Sequence, residues 1–164
     1  MMRTHLYIFL VPALLGGLFG GCSEKVEPKP ITYSQLLTGT EKKSWRIVSA
    51  QIFDDGNASG IIPAAQLDDP CVIDDLYTFY ANDERKFEIT EGASKCAAND
   101  PDVFFTDNWT LINADASLEF ALPILGIKYP YTIKNLTASV LTIEFYVPDV
   151  NASYRFTFNA TPTK

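Results

Sequence analysis

Acid–base chemistry in this chain falls to carboxylates, lysines and tyrosines. The one histidine is His5, inside an N-terminal apolar stretch. From residue 22 onward there is no imidazole, which removes Ser-His-Asp and Cys-His catalysis and His-ligated zinc or iron from that region. Carboxylates are abundant, with 20 Asp and Glu against 13 Lys and Arg. A glycosidase needs two of them, one protonated. Three groups are candidates: Asp54-Asp55-Gly56-Asn57, Asp68-Asp69 and Asp74-Asp75. The first offers oxygen ligands of the kind Ca²⁺ takes, but no Glu follows at the twelfth position of a calcium loop. Asp, Gly and Asn are also what a tight turn wants, and the group is read as a turn. The other two pairs flank Cys71 and could join a metal site, yet read as solvated loop ends. Neighbouring Asp residues in a strand point to opposite faces, which argues against a catalytic pair. No catalytic residue, metal or cofactor is assigned, and the chain is not expected to be an enzyme.

The elements that must hold these groups are strands. Residues 31–39 predict a helical turn or two, with Ser34 as cap and Gly39 as stop. After that, apolar residues recur with a period of two, as in Trp45 and Ile47, or Phe87 and Ile89 with Glu88 opposite. Eight strands are predicted, at about 44–53, 75–81, 86–90, 105–113, 117–122, 129–136, 140–147 and 153–160. Asn82-Asp83-Glu84 and Asp115-Ala116 supply hairpin connections. Short, evenly spaced strands joined by short connections favour an all-β, eight-stranded antiparallel up-and-down barrel, a form that also removes exposed edges. Inward aromatics such as Trp109, Phe120, Phe145 and Phe156 either line a cavity or fill the core. The stretch 123–130 is apolar for a loop, carrying Ile124 and Leu125. It reads as the rim of a pocket or a plug, with Tyr131 beside it.

Residues 1–21 carry Arg3, an apolar run from Leu6 to Phe19, then Gly20 and Gly21. That order is a secretory signal, and the run is short of the roughly 20 residues that span a bilayer. The stretch Leu18-Phe19-Gly20-Gly21-Cys22 resembles the bacterial lipobox. The resemblance implies cleavage before Cys22 and lipid anchoring there, with residues 22–33 as a charged, Pro-rich tether and 34–164 as the domain. Several acyl chains on one Cys suffice for stable membrane attachment. Without Arg3 the balance is 12 basic against 20 acidic residues, net −8. No basic patch exists, and nucleic acid is not an expected partner. Cys71 and Cys96 then remain as an even pair in an oxidising compartment and are read as a disulfide.

As a set, Leu36 to Gly39, Lys43-Ser44-Trp45-Arg46, Cys71 with Asp74-Asp75, Tyr77, Phe79, Cys96, Trp109 and Leu111, then Ile133, Leu136, Leu141 and Ile143 resemble the lipocalin-like lipoproteins of Bacteroidetes. The resemblance covers about residues 34–160 and implies a lipocalin-like barrel. Where true lipocalins carry Gly two residues before the first-strand Trp, this chain carries Lys43. The resemblance also implies that a basic residue of the last strand, Arg155, covers Trp45 and closes the barrel. The expectation for function is an outer-membrane lipoprotein of the cell envelope that binds a small apolar or amphipathic ligand. Trp109, Phe120, Tyr131, Phe145 and Phe156 would line the site, with Ile124 and Leu125 near its mouth. The alternative is a filled barrel acting as an accessory subunit or inhibitor of an envelope protein, and a carboxylate-based hydrolase comes third.

Overall fold

The first long strand, β1 (Lys42–Asp54), is also where the sheet returns to its beginning, because the last strand of the chain pairs along most of it. The computed structural model describes residues 31–122 and 127–162, and these belong to a unit spanning Ile31–Lys164. The signal sequence and lipidation site at Cys22 lie outside the described residues, as do Ile124 and Leu125. Ahead of β1 comes a short helix, α1 (Tyr33–Thr38). Its cap is Thr32 rather than Ser34: the Thr32 hydroxyl accepts from the Gln35 N–H at 3.1 Å, and the Gln35 side chain accepts from the Thr32 N–H at 3.1 Å. Only Thr32 stands three residues before a Gln that can answer it, which makes a capping box. Gly39 ends the helix with φ +67°, a conformation that side-chain-bearing residues avoid.

After β1 come two short pieces that pair back onto it, β2 (Asn57–Ala58) and β3 (Ile62–Pro63), and a helical turn, α2 (Pro70–Ile73). Asp55 and Gly56 both have positive φ and join Asp54 to its partner Asn57. This is the two-residue hairpin turn that Asp-Gly favours, as the composition implied. Then follow β4 (Leu76–Tyr80), β5 (Lys86–Thr90), β6 (Val103–Asn108), β7 (Thr110–Ile112), β8 (Ser117–Leu122), β9 (Ile127–Leu136), β10 (Val140–Val147) and β11 (Ala152–Ala160). All main pairings are antiparallel, in the order β6-β5-β4-β1-β11-β10-β9-β8-β7.

The two ends of that path, β6 and β7, are separated in the chain by Trp109 alone. They are the halves of one bent strand. Its first half pairs with β5 and its second with β8, so the sheet forms a nearly closed, eight-stranded up-and-down barrel. The sequence reading placed one continuous fourth strand here. The break arises because Trp109 turns in. Its N–H donates to the Arg85 carbonyl at 2.8 Å and its indole Nε1 to the Tyr80 carbonyl at 3.0 Å. The apolar stretch read as a loop over 123–130 is in fact strand from Ile127. Pro130 is tolerated in β9 because its partner on one side is Glu119, while pairing with β10 is confined to residues 132–136. Where that pairing is missing, the Tyr129 hydroxyl bridges to the Tyr146 carbonyl at 2.8 Å.

Trp45, Phe79, Phe87, Phe120, Tyr131 and Leu141 form the buried centre. Phe120 meets Phe79 and Phe87 edge-on, at 5.5 and 5.0 Å between ring centroids. Edge-to-face contact sets the electropositive rim of one ring against the face of the next. One barrel end is closed by α1, where Leu37 is fully buried and its carbonyl accepts from the Trp45 indole at 2.9 Å. The expected cover of Trp45 by Arg155 does not occur. Trp45 lies opposite Ala160, five residues past Arg155 on β11, or roughly 16 Å along the strand. Arg155 instead lies over the Phe53 ring at 4.2 Å and pairs with Glu144 at 2.7 Å. Lys43 covers Trp45, 5.2 Å from the ring centroid.

Candidate functional site

The end of the barrel opposite α1 holds the candidate site. Here β1, β5, β8 and β10 finish and β4, β6, β9 and β11 begin. The segment between β1 and β4, with its short strands and α2, belongs to this end. A disulfide between Cys71 and Cys96, with Cα atoms 5.1 Å apart, ties α2 to the connection between β5 and β6. This is the pairing read from the sequence.

A cavity of about 360 Å³ lies there. Its walls are inward residues of the barrel: Ile47 of β1, Tyr77 of β4, Ile89 of β5, Leu122 of β8, and Phe156 and Phe158 of β11. Alternation puts them inside, since every second residue of a strand faces the same way. Leu67, Val72 and Ile73 complete it from the cap segment, and Phe104 from β6. Among the described residues, the charged groups on this wall are Asp68 and Asp75, both acidic.

Asp75 sits immediately before β4 and is 6% exposed. Its Oδ1 has no hydrogen-bond partner in the protein. An unsatisfied buried oxygen costs about 1–3 kcal/mol, more when charged. The local fold explains how it is held. Asp74, one residue earlier, accepts from the Ala93 and Ser94 N–H groups at 2.8 and 2.9 Å. That draws the chain at Gly92 against Asp74 so closely that a Cβ there would lie 2.2 Å from the Asp74 carbonyl oxygen. Only glycine allows that approach. Burial, reinforced by the charges of Glu91 and Asp74, pushes the Asp75 carboxyl up to about 6, with the Gly92 N–H working against the shift. Burial first, then Asp75 and Asp68, push the Tyr77 hydroxyl up to about 12.

These facts correct one sequence expectation. Asp68 and Asp69 are exposed, as solvated loop ends should be, but Asp75 is buried at the cavity. Adjacent Asp residues do face apart, and here one face is the barrel interior. Among the described residues, no group of three or more His, Cys, Asp or Glu is arranged to hold a metal ion.

Of the aromatic residues expected at a ligand site, Phe156 lines the cavity. Trp109, Phe120 and Tyr131 are buried in the packed core, and Phe145 stacks on Phe156 at 6.0 Å and on Tyr154 at 5.3 Å. They support the wall rather than form it. Ile47, Tyr77, Ile89, Leu122 and Phe158 were legible as inward residues, yet nothing in their spacing separates cavity from core. The signal for Asp75 was its place at a strand start beside Cys71, and its burial depends on a cap segment and a Gly92 contact that no local pattern reveals. No protein-family model matches the sequence, and no curated protein matches it either.

Proposed function

We propose that this chain is a lipoprotein of the cell envelope, anchored in the outer membrane through acyl chains on Cys22, whose barrel carries a small apolar or amphipathic ligand. The observation that carries the reading is the 360 Å³ cavity with its largely apolar wall. Small-molecule sites usually enclose about 300–1,000 Å³ and combine apolar walls with a few polar groups that fix orientation. A barrel filled by its own side chains, which the interaction-module alternative needs, would not leave that space. The barrel is compatible with the lipocalin-like resemblance, and the lipobox-like stretch before Cys22 supports the anchoring.

The test is 1:1 binding of an apolar fluorescent probe, N-phenyl-1-naphthylamine, to the mature chain. Binding that Ile47→Trp abolishes without loss of fold supports the carrier. Binding that Ile47→Trp leaves intact counts against it. Loss of fatty-acid labelling in Cys22→Ser tests the anchor separately.

A second reading has one observation in its favour. Asp75, pushed up to about 6 beside Glu91 and Asp74, is a carboxyl that can hold a proton near neutral pH. A hydrolase of the two-carboxylate kind would use it as general acid. Turnover of aryl glycosides that Asp75→Asn abolishes would establish this reading in place of the carrier.

A further inference from the structure

We propose that the ligand is an apolar molecule bearing a protonated amine, and that the amine is received by the Asp75 carboxylate at the wall of the cavity. This deepens the carrier reading and rests on it. Three independent features of the site lead to it. The wall is apolar apart from Asp68, Asp75 and Tyr77, and the Tyr77 hydroxyl feels the charge of both carboxylates. Asp75 is more than nine-tenths buried, and its Oδ1 meets no donor in the protein. Every charged group on the wall or acting on Asp75 is negative: Asp68, Asp74 and Glu91.

A ligand completes such a site by supplying what the protein withholds. The missing partner is a hydrogen-bond donor, and the surrounding potential favours one that carries positive charge. A carboxylate lipid would bring a fifth acidic group to Asp68, Asp74, Asp75 and Glu91. A neutral alcohol could donate one hydrogen bond but would leave the repulsion among the acidic groups untouched. An ammonium does both, and its charge-assisted bond is worth about tenfold in affinity or more over a neutral donor. The apolar body then lies against Ile47, Ile89, Phe156 and Phe158.

The same geometry fixes a pH dependence. The groups acting on Asp75 are Asp74 on its own segment and Glu91 and the Gly92 N–H from the connection after β5; Tyr77, two residues along its own strand, feels the charges of both Asp75 and Asp68. None of these carries positive charge. Protonating the acidic cluster therefore removes the attraction for an ammonium while leaving apolar contact unchanged.

The experiment uses the mature chain from residue 22 with Cys22→Ala, so that no acyl chain competes for the cavity, its fold checked by near-ultraviolet circular dichroism. Binding of n-decylamine, n-decanol and n-decanoate is measured by calorimetry. The proposal expects n-decylamine to bind about tenfold tighter than n-decanol, n-decanoate to bind weakest, and Asp75→Asn to bring the amine and the alcohol within about twofold. Should Asp75→Asn not fold, the amine-over-alcohol preference of the unaltered protein is followed with pH, and it should shrink as pH falls from about 7.5 to 5. Equal binding of all three probes, or a preference for n-decanoate, overturns the proposal and leaves the carrier reading standing. Binding of none of them to the folded chain overturns both.

Discussion

Lys43 covers Trp45: the ammonium lies 5.2 Å from the centre of the indole ring, donates to the Leu36 carbonyl, and reaches the Ala138 carbonyl at 3.2 Å. One side chain thus ties α1, the start of β1 and the connection between β9 and β10 across the closed end of the barrel. Burial holds its pKa below the ordinary lysine value, so the charge is kept at some cost and is repaid by two carbonyls and a ring face. Lys43→Ala should lower stability by about 1–2 kcal/mol in urea unfolding followed by tryptophan fluorescence. In double-mutant cycles Lys43→Ala should couple to Trp45→Phe, whereas Arg155→Ala and Trp45→Phe should add to within about 0.5 kcal/mol.

Asp75 predicts a stability profile with a definite sign. Its pKa in the folded protein is about 6, against an ordinary value of 3.8. A carboxyl whose pKa is raised by folding destabilises the fold when ionised, in full above the folded pKa, and ceases to do so as pH falls toward the unfolded value. Unfolding midpoints should therefore rise as pH drops from about 7 to about 5. At lower pH the sign reverses. Glu88, where hydrogen bonds from Lys86 and Tyr80 outweigh the effect of burial, and Asp102, held by Lys95, both have lowered pKa values, and protonating them loses stability. Asp75→Asn should flatten the limb between about pH 5 and 7. A profile unchanged by that substitution would remove Asp75 as its source.

The Cys71–Cys96 bridge closes a loop of sequence separation 25 and fastens α2, whose Val72 and Ile73 line the cavity. Reduction, or Cys71→Ser with Cys96→Ser, should cost about 2–4 kcal/mol of stability. It should also weaken binding of the naphthylamine probe more than Lys43→Ala does, because the cap segment loses its fastening while the far end of the barrel is unaffected. Equal effects would mean that the cap contributes nothing to the site.

Gly92→Ala tests the contact that buries Asp75. The new Cβ would meet the Asp74 carbonyl oxygen at 2.2 Å and its carboxyl carbon at 2.4 Å, so the segment must move. Displacing a tightly packed backbone costs about 1–3 kcal/mol. The substitution should also return the Asp75 pKa toward 3.8 in a carboxyl-detected titration, since water would reach it.

The barrel was legible in the sequence because its evidence is local. A period of two runs through Trp45 and Ile47, Phe87 and Ile89, and Leu141 and Ile143, and turn residues at Asp55-Gly56 and Asn82-Asp83 separate the strands. What the sequence hid was relational. Arg155 and Trp45 are both suitable for a cation–ring contact, but only the register shows that Trp45 faces Ala160. Trp109 and Phe156 are both inward aromatics, yet Trp109 packs at a strand break and Phe156 borders open space. Asp68 and Asp75 are alike in composition, yet Asp68 is exposed while Asp75 is buried next to Asp74, which is packed against Gly92 from a distant segment.

Native mass spectrometry of the protein released from its own host's envelope shows whether the barrel cavity carries a ligand. A reproducible small-molecule adduct, extractable into organic solvent, is expected with Arg155→Ala and not with Ile47→Trp. A clean mass without adduct, or an adduct that survives Ile47→Trp in the folded protein, would contradict a ligand carried in the barrel cavity.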